Sequence, residues 1–113
     1  RFRRHAQQAF KALFAHADVL IAPATPCSAT LIGAQNMEIN GQPLPIRASM
    51  GMLTQPISFL GLPVVTVPLR TASGQPIGLQ LIAAPFNEQA CLRVARALEE
   101  TGVTDARPVE IAA

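Results

Sequence analysis

Apolar residues near the start of the chain recur at the spacing of one helix face. Charged and amide side chains fill the positions between them and would occupy the opposite face. The apolar positions are Phe2, Ala6, Phe10, Leu13, Phe14 and Ala17. This pattern predicts an amphipathic helix over residues 2–17.

Three later apolar runs are short and rich in β-branched residues, which is typical of buried strands. The first, residues 19–22, ends at prolines and predicts a strand. The other two, residues 64–69 and 77–83, are separated by the turn-forming sequence Ser-Gly-Gln-Pro. They predict strands that pair as a hairpin or lie close in one sheet.

A second amphipathic helix is predicted over residues 88–101. Asn87 is a favourable N-cap, and Glu88 lies in the first turn, where the helix dipole favours an anion. Gly102 ends this helix, and residues 103–113 are interpreted as a tail. The alternation of helices and strands along the chain predicts an α/β fold.

The stretch between residues 23 and 47 is rich in proline and glycine and is predicted to be a loop with one small hairpin. Asn40 and Gly41 both tolerate positive φ, as a two-residue turn requires, so residues 37–39 are expected to pair with residues 44–46. Beyond it, Ser49 predicts the start of a short helix over 49–54, which Pro56 is expected to end.

The composition indicates a chain that is too apolar to form a stable domain by itself and that packs against further protein. Half of the 113 residues are hydrophobic and 14% are charged, whereas about 25% is usual for a globular domain. None of the apolar runs approaches the ~20 residues of a membrane-spanning helix. The chain starts at Arg1 and has no signal peptide pattern, so we interpret it as a C-terminal fragment of a cytoplasmic protein. Cys27 and Cys91 are expected to be reduced thiols, with a single disulfide between them as the alternative.

The residues contain no recognisable catalytic, metal or cofactor site. His5 and His16 lie about three turns apart on the first predicted helix, too far to share a metal. Cys27, Ser28 and Ser49 have no activating base nearby in sequence. The net charge of +2 comes with no Trp or Tyr for base stacking, so nucleic acid is not an expected partner.

Several segments together resemble the amidase-signature hydrolases. They are DVLIAPATP over residues 18–26, TQPISFLGLP over 54–63, Val67-Pro68, and PIGLQLI over 76–82, followed by the closing helix. The resemblance covers nearly the whole chain and implies the C-terminal part of that family's mixed β-sheet, flanked by helices. Within the family, the chain looks most like the AtzE-type amidohydrolases of biuret and cyanuric-acid breakdown.

The resemblance implies hydrolysis of a carbon–nitrogen amide bond by a Ser-Ser-Lys triad. The family's Gly-Ser-Ser and Lys motifs have no counterpart here, so no catalytic residue is assigned and the chain alone is expected to be inactive. Its expected partners are the N-terminal remainder of the amidase domain, a small amide substrate, and a second copy or a small accessory subunit. Four residues are assigned to the wall of the substrate pocket: Met50, Gly51, Thr54 and Pro56.

Two alternatives remain open from the sequence. One is the amidase-like subunit of a glutamine-dependent amidotransferase; in that group an acid binds the substrate's amino group at the position of Gly51, which cannot balance an ammonium. The other is a stand-alone, non-catalytic α/β module that binds a protein partner through its apolar surface.

Overall fold

The computed structural model describes residues 1–105, and the part of the predicted tail at 106–113 lies outside the described residues. Residues 1–105 form four helices and five strands, and the predicted α/β class is confirmed. In chain order the elements are α1 (Phe2–Leu13), β1 (Val19–Pro23), β2 (Asn36–Ile39), β3 (Gln42–Pro45), α2 (Ile46–Ser49), α3 (Gln55–Leu60), β4 (Val64–Arg70), β5 (Pro76–Ala83) and α4 (Glu88–Glu100).

The main sheet has three strands in the order β1-β5-β4, and β5 is its centre. Both pairings are antiparallel: Val19 pairs with Ala83, and Val64 pairs with Ile82. The segment 24–63 therefore leaves the sheet at one edge strand and returns at the other. No helix in the described part of the chain is both long and apolar enough to span a bilayer.

Helix α4 covers one face of this sheet. The core beneath it is built from inward residues of β4 and β5 and from the apolar stripe of α4, as the alternation in the strands and the helical spacing dictate. Its fully buried members include Leu81, Ala83 and Cys91, each with no exposed surface. The remaining core residues are Val67 and Ala90, packed against Val19, Val65, Leu79, Val94, Ala95 and Leu98.

The end of α4 is fixed by backbone geometry. Gly102 takes φ +73° and donates its N–H to the Glu99 carbonyl at 3.0 Å, while the N–H of Val103 donates to the Leu98 carbonyl at 2.9 Å. These two bonds form a Schellman motif, which satisfies carbonyls at the helix end. The motif also brings Thr104 into a buried position, so the start of the predicted tail packs against the domain.

Two predicted helices differ from the observed ones. The helix predicted over 2–17 ends at Leu13, because the next turn tightens: the N–H of Ala15 bonds the Ala12 carbonyl and that of His16 bonds the Leu13 carbonyl. The single helix predicted over 49–54 is wrong. The chain instead forms α2, an irregular turn, and then α3.

Pro56 explains the second difference. It lies in the first turn of α3, where a proline loses no intrahelical hydrogen bond and its fixed φ suits the helix. Proline here begins a helix rather than ending one. Gly61, with φ +73°, then closes α3 and leads the chain into β4.

The small hairpin consists of β2 and β3 joined by Asn40 and Gly41, whose φ values of 52° and 74° are both positive. Its strands are Asn36–Ile39 and Gln42–Pro45. The sequence predicts Ile46 to be a strand residue, but it begins α2 instead. The hairpin forms a separate two-stranded sheet, and Met37 of β2 is buried.

Candidate substrate-pocket wall

The predicted wall residues occupy one turn and the start of α3. In this turn the N–H groups of Thr54 and Gln55 both donate to the Gly51 carbonyl, at 3.1 and 2.8 Å. The Thr54 hydroxyl donates to the same oxygen at 3.3 Å. The turn therefore closes on the Gly51 carbonyl, and both hydrogen-bond donors of Thr54 are used within the turn. We call residues 50–54 the wall turn.

A buried glutamine ties the wall turn to the sheet. Gln80 lies at the centre of β5, is 2% exposed, and donates from Nε2 to the Leu53 carbonyl at 3.2 Å and to the Pro23 carbonyl at 2.8 Å. A polar side chain buried at this level needs such partners. Sequence reasoning missed Gln80; the only available signal was one amide side chain inside an otherwise apolar strand.

Gly78, two residues before Gln80, lets the chain approach the sheet closely. The Ala24 N–H donates to the Gly78 carbonyl at 2.8 Å, and a Cβ placed on Gly78 would lie 2.9 Å from the Ala24 Cβ and from the Thr66 Cγ2. The segment after β1 therefore presses directly on β5. Gly78 and Gln80 are thus two residues of β5 that contact segment 23–53 on this face of the sheet.

Pro56 faces a different part of the surface. It lines an apolar groove of about 410 Å³ between α1 and α3, together with Met52 and aromatic side chains. The rings of Phe2 and Phe59 are 6.3 Å apart across the groove, and the Arg3 guanidinium lies 5.9 Å from the Phe59 ring centre. Met50, Gly51 and Thr54 do not line this groove. The structure therefore brings three predicted wall residues together and sets Pro56 on the adjoining face.

The thiols and imidazoles form no reactive cluster in the described part of the chain. Cys91 is buried, its Sγ lies 3.2 Å from the Leu81 carbonyl, and burial raises the pKa of this thiol, partly offset by backbone hydrogen bonds. Cys27 is half-buried, with its Sγ 3.5 Å from the Met37 Sδ. His5 and His16 are exposed. Within residues 1–105, no group of three His, Cys, Asp or Glu side chains could hold a metal ion.

Known proteins resemble this chain over most of its length. The family model described as Amidase matches residues 1–92. The chain belongs to the amidase family. The resemblance drawn from these motifs is thereby confirmed. The motifs over residues 18–26, 67–68 and 76–82 lie on or directly beside β1, β4 and β5, whereas the motif over 54–63 lies on α3 and the turns on either side of it.

Individual relatives narrow the position within the family. The chain is 52% identical over 105 residues to 1-carboxybiuret hydrolase subunit AtzE of Pseudomonas sp. (strain ADP), covering 91% of this chain and 23% of that protein. It is 40% identical to a glutamyl-tRNA(Gln) amidotransferase subunit of Macrococcus caseolyticus (strain JCSC5402), covering 83% of this chain and 18% of that protein.

A solved structure agrees with this assignment. It is reported as a vestigial protein complex that reveals the evolutionary origins of an s-triazine catabolic enzyme, and it matches with a TM-score of 0.90 and 50% identity, covering 96% of this chain and 24% of that one. The chain thus spans less than a quarter of the length of the relatives it matches.

Proposed function

We propose that these residues are the C-terminal part of an amidohydrolase that cleaves a carbon–nitrogen amide bond in a small linear amide. The observation that carries this proposal is the 52% identity over 105 residues with the AtzE subunit of 1-carboxybiuret hydrolase. Such identity over nearly the whole chain favours the same scaffold and a related substrate class. The alternative of a stand-alone binding module has no comparable support.

In this proposal the Ser-Ser-Lys triad lies in protein outside these residues. A lysine that acts as a base must be neutral, which burial achieves by lowering its pKa. The sequence has one lysine, Lys11, and it is exposed on α1. It therefore does not have the environment that the mechanism needs, and the chain alone is expected to be inactive.

The shape of the chain also supports an incomplete domain. Its surface measures 8489 Å², whereas a compact monomer of 12.0 kDa exposes about 6,000 Å². The radius of gyration is 16.1 Å, against about 13 Å for a compact chain of this length. Helix α1 is amphipathic but buries none of its residues fully. We infer that the N-terminal remainder of the amidase covers these surfaces.

The proposed role of these residues is to supply the central strand β5 and one wall of the substrate cleft. Met50, Gly51, Thr54 and Pro56 are the proposed wall residues. Because Gly51 carries no charge, this wall suits an amide without an ammonium group near it. The 40% identity to an amidotransferase subunit keeps that activity as a second candidate, but Gly51 disfavours free glutamine as the substrate.

Two further features of the proposal concern the whole protein. A second copy or a small accessory subunit is a proposed partner, because apolar surface remains exposed on the loop at Leu31 and Ile32. A cytoplasmic location is proposed because both cysteines are free thiols in the structure.

A graft tests the proposal. The C-terminal segment of the Pseudomonas AtzE subunit that matches this chain is replaced by the 113 residues, giving the grafted enzyme, and ammonia release is measured with 1-carboxybiuret, glutamine and other small amides. We expect the grafted enzyme to hydrolyse 1-carboxybiuret and the isolated chain to hydrolyse none of the amides. A folded but inactive graft, or an active isolated chain, would overturn the proposal.

A further inference from the structure

We propose that Gln80 is a positioning residue that sets the substrate wall, by holding the Leu53 carbonyl over the centre of the sheet. This inference rests on the proposed function, since it gives the wall turn a role in binding the amide. It adds a residue that lies far from the wall in sequence and does not itself line it.

The hydrogen-bond chemistry fixes what Gln80 does. Both acceptors, the carbonyls of Leu53 and Pro23, can only accept, so the amide nitrogen must face them and its two hydrogens serve both bonds. The carbonyl oxygen of an amide in that place would repel them. Gln80 is thus a bifunctional donor that joins two separate parts of the chain, the end of β1 and the wall turn, to the middle of β5.

The neighbours of Gln80 leave room for this arrangement. Its partners across the sheet are Ala22 on β1 and Thr66 on β4, both small side chains. Gly78 on the same face admits Ala24 at contact distance. The small neighbouring side chains therefore leave space for the Gln80 side chain to extend from the sheet and contact Pro23 and Leu53 directly. Within residues 1–105, no other side-chain hydrogen bond joins the sheet to the wall turn.

The position of Leu53 makes this contact relevant to the wall. Leu53 lies between Gly51, on which the turn closes, and Thr54, which donates to Gly51. Fixing the Leu53 carbonyl fixes the height of the whole turn above the sheet. If it were released, the turn could shift without unfolding the sheet, and groups that contact a bound amide would lose their alignment.

Gln80→Met in the grafted enzyme tests the inference, because methionine has a similar length and no donor. Leu81→Val is the matched control: it alters the next residue of β5, whose buried side chain points to the α4 face. Steady-state kinetics are measured at a temperature where circular dichroism shows both variants folded. Hydrogen exchange is followed at the N–H groups of Thr54 and Gln55.

Gln80→Met removes both donated hydrogen bonds, of which the bond to Leu53 holds the wall turn. We expect it to raise KM about tenfold, with kcat changed less than about threefold. Exchange at Thr54 and Gln55 should speed up in this variant and stay unchanged in Leu81→Val. Unchanged KM together with unchanged exchange in folded Gln80→Met overturns the inference, as does an equal change in the control.

The two proposals fail in different ways. If the grafted enzyme with Gln80 in place has no activity, the proposed function fails. In that case, comparing hydrogen exchange at Thr54 and Gln55 between the parent and Gln80→Met still decides whether Gln80 holds the wall turn in place. If the graft is active and only the Gln80 result is negative, the amidase function stands and the positioning role falls.

Discussion

The Sγ atom of Cys91 on α4 lies 3.2 Å from the carbonyl oxygen of Leu81 on β5, and neither residue has exposed surface. The thiol is therefore a weak donor that joins the covering helix to the central strand at the middle of the core. Burial raises the pKa of the Cys91 thiol, so it stays protonated where an exposed thiol would begin to ionise.

The two cysteines should differ strongly in reactivity. Thiolate is the reactive form, and Cys91 is both buried and held as the thiol, whereas Cys27 is half-buried in a loop. We expect iodoacetamide at neutral pH to modify Cys27 in the folded grafted enzyme and to leave Cys91 unmodified until denaturant is added. Mass spectrometry of the digested protein separates the two sites. Equal labelling in the native state would contradict the buried packing of α4.

The Cys91 thiol should also make stability depend on pH at the alkaline end. Its pKa in the folded state is raised, so the unfolded chain releases this proton first as pH rises. The protonated thiol therefore contributes to the free energy of unfolding in full below the pKa of the unfolded chain, near the ordinary value of 9.0. This contribution is lost as pH rises toward the folded pKa, by at most about 1.4 kcal/mol per pH unit.

Cys91→Ala in the grafted enzyme isolates this effect. The variant should be less stable at every pH because it leaves a small cavity, but its stability should fall less steeply above pH ~9 than that of the parent. Urea unfolding between neutral pH and pH ~10, in the presence of reductant, measures both slopes. Parallel slopes would show that the thiol does not carry the expected linkage.

Glycine-to-alanine changes at two sites should differ in how much stability they cost. At Gly78 the new methyl group would lie 2.9 Å from Ala24 and Thr66 in a packed contact, so Gly78→Ala should destabilise by ~1–3 kcal/mol. At Gly51 the nearest atoms belong to the flexible side chain of Gln55, and φ is not positive, so Gly51→Ala should cost less than ~0.5 kcal/mol. Thermal unfolding of the two grafted variants checks this; equal losses would contradict the close approach at β5.

The isolated chain should associate in solution. Large apolar side chains are exposed at several places, among them Leu31, Ile32 and Phe86, which are 86%, 106% and 95% exposed. Such surface drives association when nothing covers it. Light scattering after size exclusion should give masses above 12.0 kDa that rise with concentration. A dilute monomer with one sharp unfolding transition would contradict this prediction and the inferred need for a covering partner.

Local patterns in the sequence were enough to predict the strands and α4. The runs around Val65 and Leu81 combine β-branched residues with flanking turns, and Asn40-Gly41 has few other conformations available in a tight hairpin. These features act over a few residues. Three of the family motifs lie on β1, β4 and β5, which is why the fold class and the family could both be stated before the structure.

Two remaining features could not be predicted: one depends on how a local turn closes, and the other depends on contacts between distant residues. Pro56 ends a helix or begins one according to where the preceding turn closes, and that is set by the Gly51 carbonyl. Gln80 donates to Pro23 and Leu53, which precede it by 57 and 27 positions, so no local pattern could reveal its role. Tertiary contacts therefore decide the role of Gln80, whereas the start of α3 depends on hydrogen bonds within one turn.

The path of segment 24–63 has a consequence for how such enzymes diversify. The segment starts beside Leu79 and ends beside Ile82, so its two ends are anchored on the same strand while the part between them holds the proposed wall residues. Substitutions or length changes between these anchors leave the strand pairing intact. If the wall residues take the proposed role, changes confined to this segment are expected to alter substrate preference while the β1-β5-β4 sheet stays the same.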